Sequence, residues 1–259
     1  MIDRDPWLAF ARHTPARIAL GRTGASLPTH EVLRFALAHA QARDAVHTPF
    51  DAVGVTSAIE GLGLPVIAAL SAAPARDVYL RRPDLGRRLS QESREQLAEA
   101  GKSGGSVDLA LVVADGLSSA AVHAQAVPFL AALKPWIAAE GWRLAPVVVA
   151  RQARVALGDE AGALLKARAV VVLVGERPGL SSPDSLGLYL TFDPKAGRSD
   201  AERNCISNVR EVGLPHAAAA FKLAWLIKEA FRRGLTGVDL KDESDLLLSD
   251  GRPPARLPG

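Results

Sequence analysis

Between Val107 and Val174 the chain reads VDLALVVA, helix-forming sequence from Ser118 to Glu140, PVVVA, a shorter helix-forming stretch from Asp159 to Lys166, and AVVVLV. Apolar, β-branched runs of this length are too short for typical helices and read as strands buried on both faces. Strands that alternate with helices lie parallel, and right-handed crossovers then build a βαβαβ unit. The pattern predicts an α/β fold with a Rossmann-like parallel sheet core. Pro128 and Pro135 each remove a backbone donor from the first helix and are expected to bend or divide it.

The three strands end on one edge of the sheet, where loops converge on a crevice without disturbing the packed core. The loops are Asp115 to Ser118, Arg151 to Val155, and Gly175 to Leu180. They offer a carboxylate, a serine-capped helix start, two arginines and the Glu176-Arg177 pair. Pro178-Gly179 follows, supplying the fixed φ and then the positive φ of a type II turn. A binding crevice for a large polar ligand is expected here, with an ordinary strand-to-helix loop bearing a surface ion pair as the alternative.

Upstream, residues 1–27 read as an N-terminal arm: a short helical turn around Trp7, Leu8 and Phe10, then a loop bearing Arg17 and Arg22. The spacing of Val32, Leu33, Phe35, Ala36, Leu37 and Ala40 predicts a helix from Pro28 to Arg43. His30 and His39 lie on it without partners at metal-ligand spacing. Residues 48–75 are weakly patterned. Val78, Tyr79 and Leu80 read as a short strand, and Ser90 as the start of a helix ended by Gly101. Downstream come the strand-like LGLYLTF, the segment NCISNVR, and an amphipathic helix from Pro215 to Arg233 closed by Gly234. From Leu235 the polar, proline-bearing sequence is expected to fray. The division expected is an N-terminal arm and helical region over 1–75, a Rossmann-like domain over 76–242, and a flexible tail over 243–259.

An apolar content of 48% supports a sizeable core. The net charge is +3, and the densest basic cluster, Arg81, Arg82, Arg87 and Arg88, has no interleaved aromatics. Nucleic-acid binders use both a larger charge and stacking rings, so a contact with a partner subunit is the better reading of that cluster. Cys205 is the chain's one cysteine, which excludes an internal disulfide and suits a reducing compartment. No secretory signal and no membrane-spanning apolar run are present, so a soluble, cytoplasmic protein is expected.

Familiar catalytic signatures fail on inspection. GKSG at Gly101 to Gly104 lacks the upstream glycine of a phosphate loop, since Gln96 stands there, and its strand follows instead of preceding it. ADGLSSA has one glycine where the dinucleotide fingerprint needs three. No serine sits in a G-x-S-x-G elbow, and Cys205 has no neighbouring histidine, so by pattern it reads as a small buried hydrophobe. No catalytic residue and no metal-ligand set is assigned to the chain.

The segments TPARIALGR, YLRRPDLGRRL, VVADGLSSAAV, VGERPGLSSPDSLGLYLTF and RNCISNVR, in that order, closely resemble the small (light) subunit of ethanolamine ammonia-lyase, from about Trp7 to about Asp242. The resemblance implies a coenzyme B12 enzyme that converts ethanolamine to acetaldehyde and ammonia by a radical route. In that family a large barrel subunit carries the substrate and catalytic residues, and the small subunit helps to enclose adenosylcobalamin at the interface. The family's cofactor contacts map onto Val155, Glu176 and Cys205, so the 76–242 domain becomes the cobalamin-contacting one and the arginine-rich N-terminal half a docking surface for the large subunit. Some members carry a longer N-terminal extension linked to encapsulation in a bacterial microcompartment; this chain starts almost at the common core. B12 proteins that displace the cofactor's lower base share an Asp-x-His-x-x-Gly motif, and none of the six histidines here has aspartate two positions before it. The cofactor is therefore expected to keep its own base on cobalt. Two other classes remain open on the residues alone: a stand-alone Rossmann-like small-molecule binding module, and an RNA- or protein-binding scaffold using the arginines at 81–88.

Overall fold

The structure, a computed structural model, describes residues 6–14, 16–247 and 257. Strand β2 (Val107–Ala114) shows why the apolar runs become strands. Leu109, Leu111 and Val113 enter one hydrophobic cluster while Ala110, Val112 and Ala114 enter another, and all six are fully buried. The pleat sends alternate residues to opposite faces, so an unbroken apolar run is satisfied only where both faces are covered.

Six strands form one sheet: β1 (Val66–Leu70), β2, β3 (Val147–Arg151), β4 (Ala167–Gly175), β5 (Leu186–Phe192) and β6 (Asn204–Val209), in the order β1-β3-β2-β4-β5-β6. The first four in that order are parallel; β5 runs antiparallel to β4, and β6 antiparallel to β5. The α/β fold and its three expected parallel strands are present. The weakly patterned region adds β1 as a fourth, and LGLYLTF and NCISNV complete the sheet.

The helices are α1 (Thr29–His47), α2 (Ala52–Gly61), α3 (Arg76–Arg81), α4 (Pro83–Gly86), α5 (Gln91–Gly104), α6 (Ser119–Glu140), α7 (Leu157–Leu164) and α8 (His216–Arg233). Residues of α2, α6 and α8 fill the cluster on one face of the sheet, and residues of α5 and α7 the cluster on the other. No helix among the described residues is long and apolar enough to cross a membrane.

Three local expectations are corrected and a fourth, that Pro128 and Pro135 bend or divide α6, is narrowed. Val78, Tyr79 and Leu80 lie in α3, where the fully buried Tyr79 is held from the helix rather than from a strand. α6 is not divided: Pro128 and Pro135 sit inside one continuous helix, because its packing against the sheet and α8 outweighs two missing backbone bonds. α5 runs past Gly101, which is buried where a Cβ would lie 2.0 Å from the Leu164 carbonyl oxygen, and its end is marked by Gly105. Residues 235–247 do not fray. Leu240 is buried, Asn204 Nδ2 donates to its carbonyl at 2.6 Å, and Lys222 Nζ on α8 reaches Asp245 at 2.7 Å and Asp242 at 3.2 Å. Of the tail expected over 243–259, Ser244–Leu247 form a 3-10 turn and Leu257 is buried; residues 248–256, 258 and 259 lie outside the described residues.

Candidate functional site

From β2 the chain crosses to β3 on one side, and from β3 it passes back over β2 to β4 on the other. Loops leaving adjacent strands β2 and β4 therefore head in different directions, and a crevice opens between them. Gly116, at φ 59°, turns the β2 loop so tightly that a Cβ there would lie 2.3 Å from the Gly175 carbonyl oxygen, and the Leu117 N–H donates to that same oxygen at 2.9 Å. A cavity of about 420 Å³ lies at this point, with walls that include Tyr79, Arg154, Val155, Glu176, Arg177 and Tyr189.

Asp115, expected to offer its carboxylate to a ligand, is spent inside the protein. It is 1% exposed and accepts from the backbone N–H groups of Gly116 (3.0 Å), Gln152 (3.0 Å) and Ala153 (2.9 Å) and from Arg76 Nη1 (3.3 Å). Burial pushes its carboxyl upward against these donors and the Arg76 charge. Its role is to staple the loop after β3 to the loop after β2. Tyr79 braces the same junction: the Arg76 and Arg154 guanidinium carbons lie 4.9 and 4.7 Å from its ring centroid, and its hydroxyl donates to the Ala153 carbonyl at 3.3 Å. Desolvation raises this phenol to about 12. Arg154 Nε is buried with no hydrogen-bond partner among the described residues. Arg76 and Tyr79 escaped the sequence reading, because α3 was read as a strand; Arg154 is one of the two arginines expected on the loop after β3.

Val155 lies in the loop before α7, half-buried against the second cluster, and forms an apolar wall of the cavity. Glu176 follows the last residue of β4. Its Oε1 accepts from Ser207 Oγ at 2.8 Å, and its Oε2 accepts from Ser185 Oγ and from the Asn208 N–H at 3.3 Å. A carboxylate has about four acceptor positions, which leaves one open on Oε1. The expected type II turn at Pro178-Gly179 is absent, as Gly179 does not take a positive φ. Gly179 and Ser182 instead exchange two backbone hydrogen bonds of 3.2 Å around Leu180 and Ser181. Contacts from elsewhere hold the loop this way: Arg17 Nη2 donates to the Leu180 carbonyl at 3.3 Å and Ser118 Oγ to that of Pro183 at 2.9 Å.

Cys205 lies on β6 and is exposed, which corrects the buried hydrophobe read by pattern. Its strand alternates: Ile206 is buried, while Cys205 and Ser207 are exposed. The register sets Cys205 opposite Tyr189 on β5. Desolvation by the surrounding protein atoms, with the nearby Glu176 charge, raises the thiol. Gly187, two residues before Tyr189, is required for close approach: a Cβ there would lie 2.8 Å from Glu176 Oε1 and 3.0 Å from the Tyr189 ring. The structure thus sets Val155, Glu176 and Tyr189 on one cavity, with Cys205 outside its walls but opposite Tyr189 on the next strand. Gly187, Tyr189 and Ser207 were missed because their shared face depends on an antiparallel register that local sequence does not state. In the arginine cluster, Arg81 pairs with Asp77 at 2.6 Å and Arg82 with Asp84 at 2.8 Å, so half of it is locally neutralised.

The family model described as "Ethanolamine ammonia-lyase light chain (EutC)" matches residues 4–241. A protein of Pseudomonas fluorescens (strain SBW25) named "Ethanolamine ammonia-lyase small subunit" is 55% identical over 256 residues, covering 98% of this chain and 92% of the relative. A protein of the same name from Xanthomonas campestris pv. campestris (strain ATCC 33913) is 58% identical over 243 residues, covering 93% and 89%. Its counterpart in Pseudomonas aeruginosa (strain LESB58) is 55% identical over 251 residues, covering 96% and 92%. With every strand that builds the crevice inside the matched region, this chain belongs to the ethanolamine ammonia-lyase light chain family.

Proposed function

We propose that this chain is the small subunit of an adenosylcobalamin-dependent ethanolamine ammonia-lyase, a carbon-nitrogen lyase that converts ethanolamine to acetaldehyde and ammonia. Its part is to hold the cofactor against the large subunit. The observation that carries the reading is an apolar cavity wall set beside an unspent acceptor. Glu176 Oε1 has one acceptor position left among the described residues, and Val155, Tyr189 and the Arg154 side chain line the cavity with it. A corrin fits this chemistry, since it has an apolar macrocycle edged by amide groups that donate and accept. Cavities of a few hundred Å³ take drug-sized ligands; a corrin is larger, and the exposed face of β6 at Cys205 and Ser207 provides further wall while leaving one side for a partner. When bound, adenosylcobalamin supplies the radical chemistry. The residues of this chain orient the macrocycle and keep water from one side of it. Residues 76–242 contact the cofactor in this reading, and residues 1–75 serve the large subunit.

The test is to co-express the chain with its large subunit and measure acetaldehyde from ethanolamine with and without adenosylcobalamin, alongside the chain alone. Acetaldehyde is expected from the complex with cofactor. Turnover by the chain alone, or a complex that retains no cobalamin, overturns the reading. Tight ligand binding by the chain with no partner required would favour a stand-alone binding module.

A further inference from the structure

Helix α1 is held by one narrow stripe. Its buried residues are Glu31, Ala38 and Ala45, spaced seven apart, and it packs on α6. On the opposite side Leu33, Ala36, Leu37 and Ala40 fall at i, i+3, i+4 and i+7, which places them on one continuous face. All four are exposed, Leu33 by 64% and Leu37 by 59%. A helix-spaced apolar face of this kind is the shape that enters a groove on another protein.

The charge around it selects among occupants. Residues 6–47 carry five arginines and two acidic residues, Glu31 and Asp44, an excess as large as the whole chain's +3. Glu31 is already engaged by Arg34 at 3.1 Å. A second copy of the chain would set this excess against itself, whereas an acidic rim on a different protein would complement it.

The same helix is tied to the candidate cofactor site. Phe35, on the same helix beside the buried stripe and 47% exposed, has the Arg17 guanidinium carbon 5.5 Å from its ring centroid. Arg17 Nη2 donates to the Leu180 carbonyl, in the loop that follows Glu176, and Arg17 Nε is buried with no partner among the described residues. One side chain therefore touches both the open helix and the loop that follows Glu176.

We propose that the Leu33-Ala36-Leu37-Ala40 face docks into an apolar, acid-rimmed groove of the large subunit, and that Arg17 transmits this docking to the loop beside Glu176. The inference rests on the reading of the chain as a small subunit. Docking then precedes firm cofactor retention, because the loop is fastened by an arm residue whose own support, Phe35, belongs to the docking helix.

The experiment titrates the large subunit with the wild-type chain and with a Leu33→Asp/Leu37→Asp variant, following association by analytical ultracentrifugation at low and high salt. Circular dichroism of each chain alone checks folding, and Leu37→Gln on the same face serves if the double variant does not fold. The expected result is association weakened by about tenfold or more with the fold intact, and a wild-type affinity that falls as salt rises. Equal affinity of variant and wild type overturns the docking face. So does a wild-type chain that dimerises alone and becomes monomeric in the variant, since the occupant is then a second copy. A wild type that never binds the large subunit defeats the proposed function instead. For the coupling, Arg17→Leu is expected to leave association within a few fold while speeding cobalamin release from the complex; unchanged release overturns it.

Discussion

Arg203 grips the carboxylate of Asp159 with both terminal nitrogens, Nη2 to Oδ2 at 2.7 Å, and the two side chains are 2% and 1% exposed. The pair spans the site. Asp159 lies in the first turn of α7, just after Val155, and Arg203 immediately precedes β6 and Cys205. The remaining donors are also used, on Thr191 Oγ1 at 3.0 Å, the Arg198 carbonyl at 2.8 Å and Asp200 Oδ1 at 3.4 Å. Asp159→Ala leaves a buried guanidinium with only the exposed Asp200 as counter-charge and is expected to cost about 3–5 kcal/mol of stability. Replacing both residues with apolar ones of similar size should recover much of that. Urea unfolding of the two variants decides; a single-variant loss under about 1 kcal/mol would place the pair with weak surface bridges.

Glu176→Ala is expected to weaken cobalamin retention by the reconstituted complex by about 1–3 kcal/mol, the usual cost of losing a hydrogen bond to a charged group. Gly187→Ala should act in the same direction without touching Glu176's chemistry, because its methyl group would lie 2.8 Å from Glu176 Oε1. Cofactor titration of both variants provides the check, and unchanged affinity in both would make this corner structural.

The Cys205 thiol is exposed but raised above its ordinary value. Less of it is thiolate at about pH 8 than in an unstructured peptide, so alkylation should be slower there and should accelerate as the pH rises further. In the cobalamin-loaded complex it should be protected. Mass spectrometry of iodoacetamide-treated samples reads both effects; equal labelling with and without cofactor would remove Cys205 from the site. Cys205→Ser preserves size and should affect retention less than Glu176→Ala.

Glu202 accepts from the Ser199 N–H at 2.7 Å and from Ser199 Oγ at 2.9 Å, and it pairs with Arg198. The Ser199 N–H, the Arg198 side chain and the Ser199 hydroxyl together lower its carboxyl from 4.5 to about 2. The unfolded chain binds this proton first as pH falls below 4.5. The stabilisation is therefore complete above that value and is lost progressively as the pH approaches about 2. Glu202→Gln should flatten this part of the stability profile. Thermal unfolding across that window tests it, and identical slopes for variant and wild type would contradict the assignment.

Without an Asp-x-His-x-x-Gly motif, no histidine of this chain is expected to coordinate cobalt. Electron paramagnetic resonance of the cob(II)alamin complex, assembled with nitrogen-15 histidine in this chain alone, should show an unaltered axial nitrogen splitting. A changed splitting refutes the expectation.

Much of the parallel core was legible because it is written locally. The runs at Val107, Val147 and Ala169 are apolar over strand length, Ser118 caps α6 by accepting from Ala121 N–H, and Gly234 closes α8. The crevice edge follows from such alternation by topology, and it singled out Glu176 and the loop that ends at Val155; Val155 itself was named by the family resemblance. Long motifs in a fixed order identified the family by the same kind of local reading.

What local sequence could not decide was who meets whom. Asp115 carries no sign that three backbone N–H groups from two loops will consume it, and Gly179 none that Arg17, far away in the chain, will help to hold its loop. The anchoring of residues 235–247, through buried Leu240 and Ser244, depends on α8 and the sheet lying beneath them. Cys205 reaches Tyr189 through an antiparallel register set by hydrogen bonds between strands. Periodicity records which faces a segment must bury; the partner for each face is chosen by packing and pairing among residues distant in the chain, which exist only in the folded molecule.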